Sequence, residues 1–153
     1  GSSVSVMTQD EIKDDPRCLH SSVTFKRSYE YAVSKLGGSA VAAIPFGSDF
    51  NGIVRHVGPR YGDGACDNNA AQRAAEANRP RLQYPFTIPG FGRFDKQVTG
   101  QRTFDFNTDG LAHIGLLPDL IADLAAMGAD VEPLMRSAAG YVAAWRKAAA
   151  AAR

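Results

Sequence analysis

Asp49 stands in the run Gly47-Ser-Asp-Phe-Asn-Gly52, directly behind residues 39–46, a short apolar stretch bounded by glycines. A carboxylate at the carboxyl end of a buried strand, in a turn opened by glycines, can ligate a metal, shuttle a proton or hold a substrate ammonium. The plain alternative is a turn or capping aspartate. Asn51 follows in the same turn. Arg55 and Arg60 come close behind, with the fork geometry to clamp a substrate carboxylate or, equally, to pair with acidic residues elsewhere. His56, and His113 in Asp109-Gly-Leu-Ala-His-Ile-Gly115, are candidate ligands or acid–base groups, or else packed loop histidines. With His20 they share no metal-ligand spacing: no His-x-His, His-Glu-x-x-His or Cys-x-x-Cys is present. No Gly-x-Ser-x-Gly elbow, P-loop or dinucleotide fingerprint occurs either, and the phosphate-loop likeness of residues 89–93 lacks a following helix.

The elements that must position these residues are read from periodicity. Residues 22–36 have helical spacing and stop at Gly37-Gly38. Residues 39–46 are apolar on both faces, which predicts a strand buried on both sides, as in a parallel sheet covered by helices. About sixty residues of little regularity follow. Within them residues 69–78 suit a short helix, residues 82–94 read as a Pro/Gly-interrupted aromatic loop, and residues 97–106 suit a small hairpin about Thr99-Gly100. A loop of this length in a compact domain is usually functional. Leu117, Leu120, Ile121 and Leu124 form the stripe of a helix with Pro118 in its first turn, Asp119 complementing the dipole, and Gly128 as its stop. Asp130 is placed to cap a last helix with the stripe Leu134, Ala138, Tyr141 and Trp145.

Composition bounds the answer. The chain has 153 residues and a net charge of +1, enough for one domain. A near-neutral balance gives no reason to invoke nucleic acid, and no apolar run is long enough for a transmembrane helix. The charge is nonetheless uneven: residues 55–102 carry seven arginines and a lysine against four acidic groups, and residues 103–133 carry six acidic groups and no basic one. The arginine-rich middle can bind an anion, or its arginines can pair with the acidic block. Cys18 and Cys66 permit one disulfide, but two free thiols are the default reading, and the compartment stays open.

Residues 39–52, ending in Gly47-Ser-Asp-Phe-Asn-Gly52, resemble the last barrel strand of the membrane (renal) dipeptidase family, whose pattern is Gly-x-Asp-Phe-Asp-Gly. Residues 117–124 resemble that family's following helix, with its Pro-Asp-Leu-Ile run, and residues 134–145 lie where its closing helix falls. Together the three segments cover about a third of the chain, in the family's order. The resemblance implies an α/β fold, a (β/α)8 TIM-type barrel with two zinc ions at the carboxyl ends of its strands. It implies a metalloenzyme, an amidohydrolase in which metal-activated water attacks a peptide or amide carbonyl. Asp49 matches the family's strand-end aspartate, and would carry the proton to the leaving group or touch the metal.

This sequence departs from the pattern in two places. Asn51 replaces an acidic residue, and residues 53–113 form a long insertion. A barrel of this kind needs about 250 residues. The family's other metal ligands, an early His-x-Asp, a bridging Glu and two later His, have no counterpart here. The expectation is therefore the C-terminal portion of such a hydrolase, from a cleaved precursor or a split gene, with another chain completing the barrel and holding most of the zinc ligands. Residues 1–20 would be a tail, 21–52 the helix and last strand, 53–113 the insertion and 114–153 the closing helices. Asp49 is the expected proton shuttle, and Asn51, Arg55 and His113 the expected contacts to a small peptide or amide substrate. The rival reading is a non-catalytic binding or regulatory protein that presents the aromatics of residues 84–94.

Overall fold

Ser21 opens the first helix. Its backbone is extended (φ −116°, ψ −178°) and its side-chain oxygen accepts the Val23 N–H, satisfying one of the donors that a helix start leaves free. In a computed structural model that describes residues 17–38, 40, 43–44 and 57–151, this helix, α1, spans Ser22–Lys35. It stops where the sequence reading places its end: Gly37 and Gly38 take φ of 92° and 89°, and the Gly38 N–H returns to the Val33 carbonyl at 3.0 Å. Val23, Tyr29 and Val33 are buried, and the helix packs on α4 (Leu117–Ala126). The Tyr29 hydroxyl donates to the Asp130 carbonyl at 2.5 Å, and burial pushes its pKa up to about 12.

Ten further elements among the described residues lie between these helices or after them. A tight 3-10 turn, Ala65–Asn68, leads into α2 (Ala70–Glu76), capped by Asn69, whose side chain accepts the Gln72 N–H. Two antiparallel hairpins follow: β1 (Phe86–Ile88) with β2 (Gly92–Phe94), and β3 (Val98–Thr99) with β4 (Arg102–Thr103). Then come α3 (Phe106–Asp109), a 3-10 turn at Ile114–Leu116, and α4. Past α4 lie α5 (Glu132–Met135) and α6 (Ser137–Ala151).

The first hairpin differs from the aromatic loop expected for residues 82–94. Pro89 and Gly90 sit in its turn, Gly92 takes φ 97°, and both strands are edges, so neither residue removes a needed ladder bond. Phe86 and Phe94 stack across the strands with ring centroids 5.4 Å apart. Leu82, Phe106 and Leu111 join Tyr29, Leu120 and Leu124 in the core, so much of the expected insertion is part of the body of the fold. Gly110 allows this. Its φ of 64° and the Val57 carbonyl, lying where a Cβ would stand, leave room for no side chain, and the Leu111 N–H donates to that carbonyl at 2.8 Å.

Of the expected buried strand, residues 39, 41, 42, 45 and 46 lie outside the described residues. Ala43 and Ile44 belong to no strand; Ile44 is buried and its N–H donates to the Pro133 carbonyl at 3.0 Å. Ile44 is thus buried against α5. The described strands make two separate two-stranded sheets, and no barrel is closed among the described residues.

Cys18 and Cys66 form a disulfide, with Cα atoms 4.7 Å apart, in place of the two free thiols read as the default. Both are buried beside Val23 and Ala65. Around the bond the Gly58 N–H donates to the His20 carbonyl at 2.6 Å, and His20 pairs with Asp67. Cys66, Asp67 and Asn68 all take left-handed backbone (φ 51°, 52° and 65°), a conformation that costs about 1–2 kcal/mol per non-glycine residue and persists only where its surroundings hold it. The disulfide and the His20–Asp67 pair supply that hold.

Candidate functional site

Asp49, Asn51, Arg55 and His56 lie outside the described residues. His113 lies within them, and the site is built from it outward. Its backbone is extended (φ −155°, ψ 166°), and it caps the 3-10 turn ahead of α4, its Nδ1 accepting the Gly115 N–H at 3.1 Å. With Nδ1 an acceptor, the neutral ring carries its hydrogen on Nε2. Nε2 is buried and has no hydrogen-bond partner among the described residues. The ring meets Phe104 edge-on, centroids 4.6 Å apart, and a Cβ at Gly115 would stand 2.7 Å from its Cε1, so the close fit requires glycine there.

Asp119, in the first turn of α4, is fully buried. One carboxylate oxygen accepts the Tyr84 hydroxyl; the other, Oδ2, is buried without a partner among the described residues. Burial pushes this carboxyl up, opposed by the Tyr84 hydrogen bond and by the charge His113 carries when protonated. The Tyr84 hydroxyl also accepts the Phe106 N–H at 3.1 Å; burial, then donation to Asp119, raises its pKa well above the usual phenol range. Asp105 caps α3 by accepting the Asn107 N–H at 2.9 Å. Burial raises its carboxyl, but the hydrogen bonds from Lys96, at 2.7 Å, and Asn107 outweigh that and hold it below the usual carboxylate range.

Tyr84, Asp119 and His113 therefore bring a buried carboxyl with a raised pKa, a phenol and an imidazole to the segment between β4 and α4. The unpartnered atoms are complementary: a donor on His113 and an acceptor on Asp119. This can store or pass a proton, and it fixes the loop that presents His113. It contains no nucleophile paired with a base. Sequence reasoning took Tyr84 only as one of the loop aromatics of residues 84–94 and read Asp119 as a partner of the helix dipole. The available signal was the spacing of Asp119 and Asp123, which puts two carboxylates on one face of a helix whose neighbours Leu120 and Leu124 are core.

Asp123 is committed elsewhere. Arg60 is buried, its Nη1 donating to Glu76 Oε2 at 3.0 Å and its Nη2 to Asp123 Oδ1 at 2.7 Å and the Pro80 carbonyl at 2.8 Å. Ser22 donates to the other Asp123 oxygen at 2.5 Å. Arg79 Nε lies 3.3 Å from Glu76 Oε1, a charge contact without hydrogen-bond geometry. Burial disfavours the Arg60 charge, but Asp123 and Glu76 more than offset it, and the guanidinium is not free to clamp a substrate.

A third feature is apolar. The first hairpin, α4 and α6 enclose a groove of about 660 Å³ lined by Phe91, Phe94, Leu117, Ile121 and Tyr141. Helix α6 has no buried residue; Tyr141 and Trp145, expected on a core stripe, are 64% and 68% exposed, and Phe91 is 67% exposed. Leu134 is buried, but the helix breaks at Arg136 and its second part turns the stripe outward.

Among the described residues no cluster of three or more His, Cys, Asp or Glu can hold a metal, and no helix is long and apolar enough to cross a membrane. No protein-family model matches the chain, and no curated protein or solved structure matches it.

Proposed function

We propose that this polypeptide is the C-terminal chain of a metal-dependent hydrolase of peptide or amide bonds, dipeptidase-like, with Asp49 as proton shuttle. The observation that carries the reading is the run Gly47-Ser-Asp-Phe-Asn-Gly52 with Leu117-Pro-Asp-Leu-Ile121 following in the order of the membrane dipeptidase family. The exposed Tyr141 and Trp145 of α6 and the adjoining groove support the second half of the proposal, that further polypeptide packs here. Among the described residues no cluster suits zinc, so no step is routed through a metal, and most of its ligands would come from the partner chain. On this reading Asp49 takes a proton from the attacking water and gives it to the leaving amine, so the bond cleaved gains one proton and one hydroxyl. Asn51, Arg55 and His113 orient the substrate. For His113 this needs a change of partner, since its Nδ1 is occupied by the Gly115 N–H.

The test is native mass spectrometry with metal analysis on the assembled protein. The expected result is a complex heavier than 16.3 kDa that dissociates into this chain and a larger, zinc-containing one. In that complex Asp49→Asn abolishes turnover of dipeptide and amide substrates. Finding only a metal-free species of 16.3 kDa, with no larger chain, would overturn the proposal.

The exposure of Phe91 at the tip of the first hairpin favours a second reading, a non-catalytic binding protein. It predicts that Asp49→Asn changes nothing and that Phe91→Asp abolishes partner binding.

A further inference from the structure

The arginine-rich middle of the chain divides into two groups. Seven arginines fall in residues 55–102, of which Arg55 lies outside the described residues. Four of the others are paired: Arg60 with Glu76 and Asp123, Arg79 with Glu76, Arg93 with Asp95, and Arg102 with Asp109. For these the acidic residues nearby are the explanation of the arginine. Arg73 and Arg81 have no carboxylate partner among the described residues, and both are exposed. They converge: both line one cleft of about 350 Å³ between α2 and the loop at residues 60–65.

The cleft is also ordered. The Arg81 guanidinium lies over the Tyr61 ring, 4.2 Å from its centroid, and Arg60 approaches the same ring at 5.1 Å. The Tyr61 hydroxyl donates to the carbonyls of Arg79 and Pro80, at 3.1 and 3.0 Å, so the ring is a fixed platform. A guanidinium stacked by its face leaves its edge N–H groups pointing outward, and less rotamer freedom is lost when they bind. Arg73 reaches the cleft from α2, a regular helix. Arg60 adds no net charge, being offset by Glu76 and Asp123, and Asp63 at the wall subtracts one; two guanidiniums against one carboxylate leave the cleft positive.

We infer that Arg73 and Arg81 form a binding site for a small molecule carrying an oxyanion, a phosphate or a carboxylate, held by forked guanidinium hydrogen bonds above the Tyr61 ring. The site is independent of Asp49 and of any reading of the reaction.

The test is NMR of the arginine Nε–Hε groups in the disulfide-bonded chain, titrated with inorganic phosphate and separately with succinate, against chloride at matched ionic strength. The expected result is a saturable shift of both Arg73 and Arg81 with at least one probe, and the probe that acts assigns the chemistry. Arg73→Gln and Arg81→Gln, both outside every ion pair described above, should each weaken binding about tenfold or more. Arg81→Lys, which keeps the charge but loses the fork, should bind more weakly than the parent chain. No saturable shift beyond chloride, or unchanged affinity in both glutamine variants, overturns the inference.

Discussion

Arg60 Nη2 lies 2.7 Å from Asp123 Oδ1, joining residues 63 apart in sequence, with neither side chain more than 3% exposed. Glu76 completes the group from the other side. Removing Arg60 alone leaves two buried carboxylates without their counter-charge. Arg60→Met is therefore expected to cost about 3–5 kcal/mol, read as a fall in urea midpoint. Adding Glu76→Gln and Asp123→Asn should restore part of that loss, because the stranded charges go with them. A triple variant no better than the single one would show that the arginine acts by packing alone.

The disulfide should be worth a similar amount. Its bonded cysteines are 48 residues apart, and a loop of that size loses chain entropy equivalent to about 4 kcal/mol when closed in the unfolded state. Cys18→Ser with Cys66→Ser, or reduction of the parent chain, should lower the urea midpoint equally, and reductant should not affect the double variant. Equal stability of the oxidised and reduced chains would contradict this.

Much of the local structure was legible in the sequence, and the reasons are local. The limits of α1, α2 and α4 follow from Ser21, Asn69, Pro118 and the glycines after α1 and α4, since capping depends on residues within one turn. Where two distant residues must meet, composition was silent. The opposed charge blocks were visible, but which arginine reaches which carboxylate depends on the packing of α4 against the loop at Arg60. The two cysteines gave no signal of their pairing for the same reason. The hairpin at Phe86–Phe94 was hidden by Pro89, which argues against a core strand but not against a turn. Trp145 fitted a helical stripe, yet periodicity shows that residues share a face without showing what, if anything, covers it.

Asp119 predicts a pH dependence. Its folded-state carboxyl is raised above the usual 3.8. Its contribution to stability is thus fully present below that ordinary value and is lost as pH rises through the raised one. Asp119→Asn keeps an acceptor for the Tyr84 hydroxyl and carries no charge. It should lose this slope, and gain stability relative to the parent as pH rises from the ordinary carboxylate value through the raised one. Asp105 acts in the opposite sense, losing its contribution as pH falls through its lowered value, and is the control. An unchanged pH–stability curve in Asp119→Asn would sink the assignment.

Helix α6 offers a direct probe of the partner. It buries no side chain, so Trp145→Asp and Tyr141→Asp should leave the urea midpoint within about 0.5 kcal/mol of the parent. If the proposed barrel partner covers this face, both variants should fail to co-purify with it. Retained association would place the contact elsewhere.

The bond between Cys18 and Cys66 also changes what the chain is as a connected object. Everything between the two cysteines, α1 and Asp49 included, belongs to a covalent ring. A protease that cuts once inside the ring opens it without releasing a piece. The product gains one water in mass and stays a single species on a non-reducing gel, and only a thiol reductant parts it in two. Asp49 thus stays covalently joined to both the start of α1 and the loop that holds Arg60 when the backbone on one side of it is broken, through the intact backbone on its other side and the disulfide.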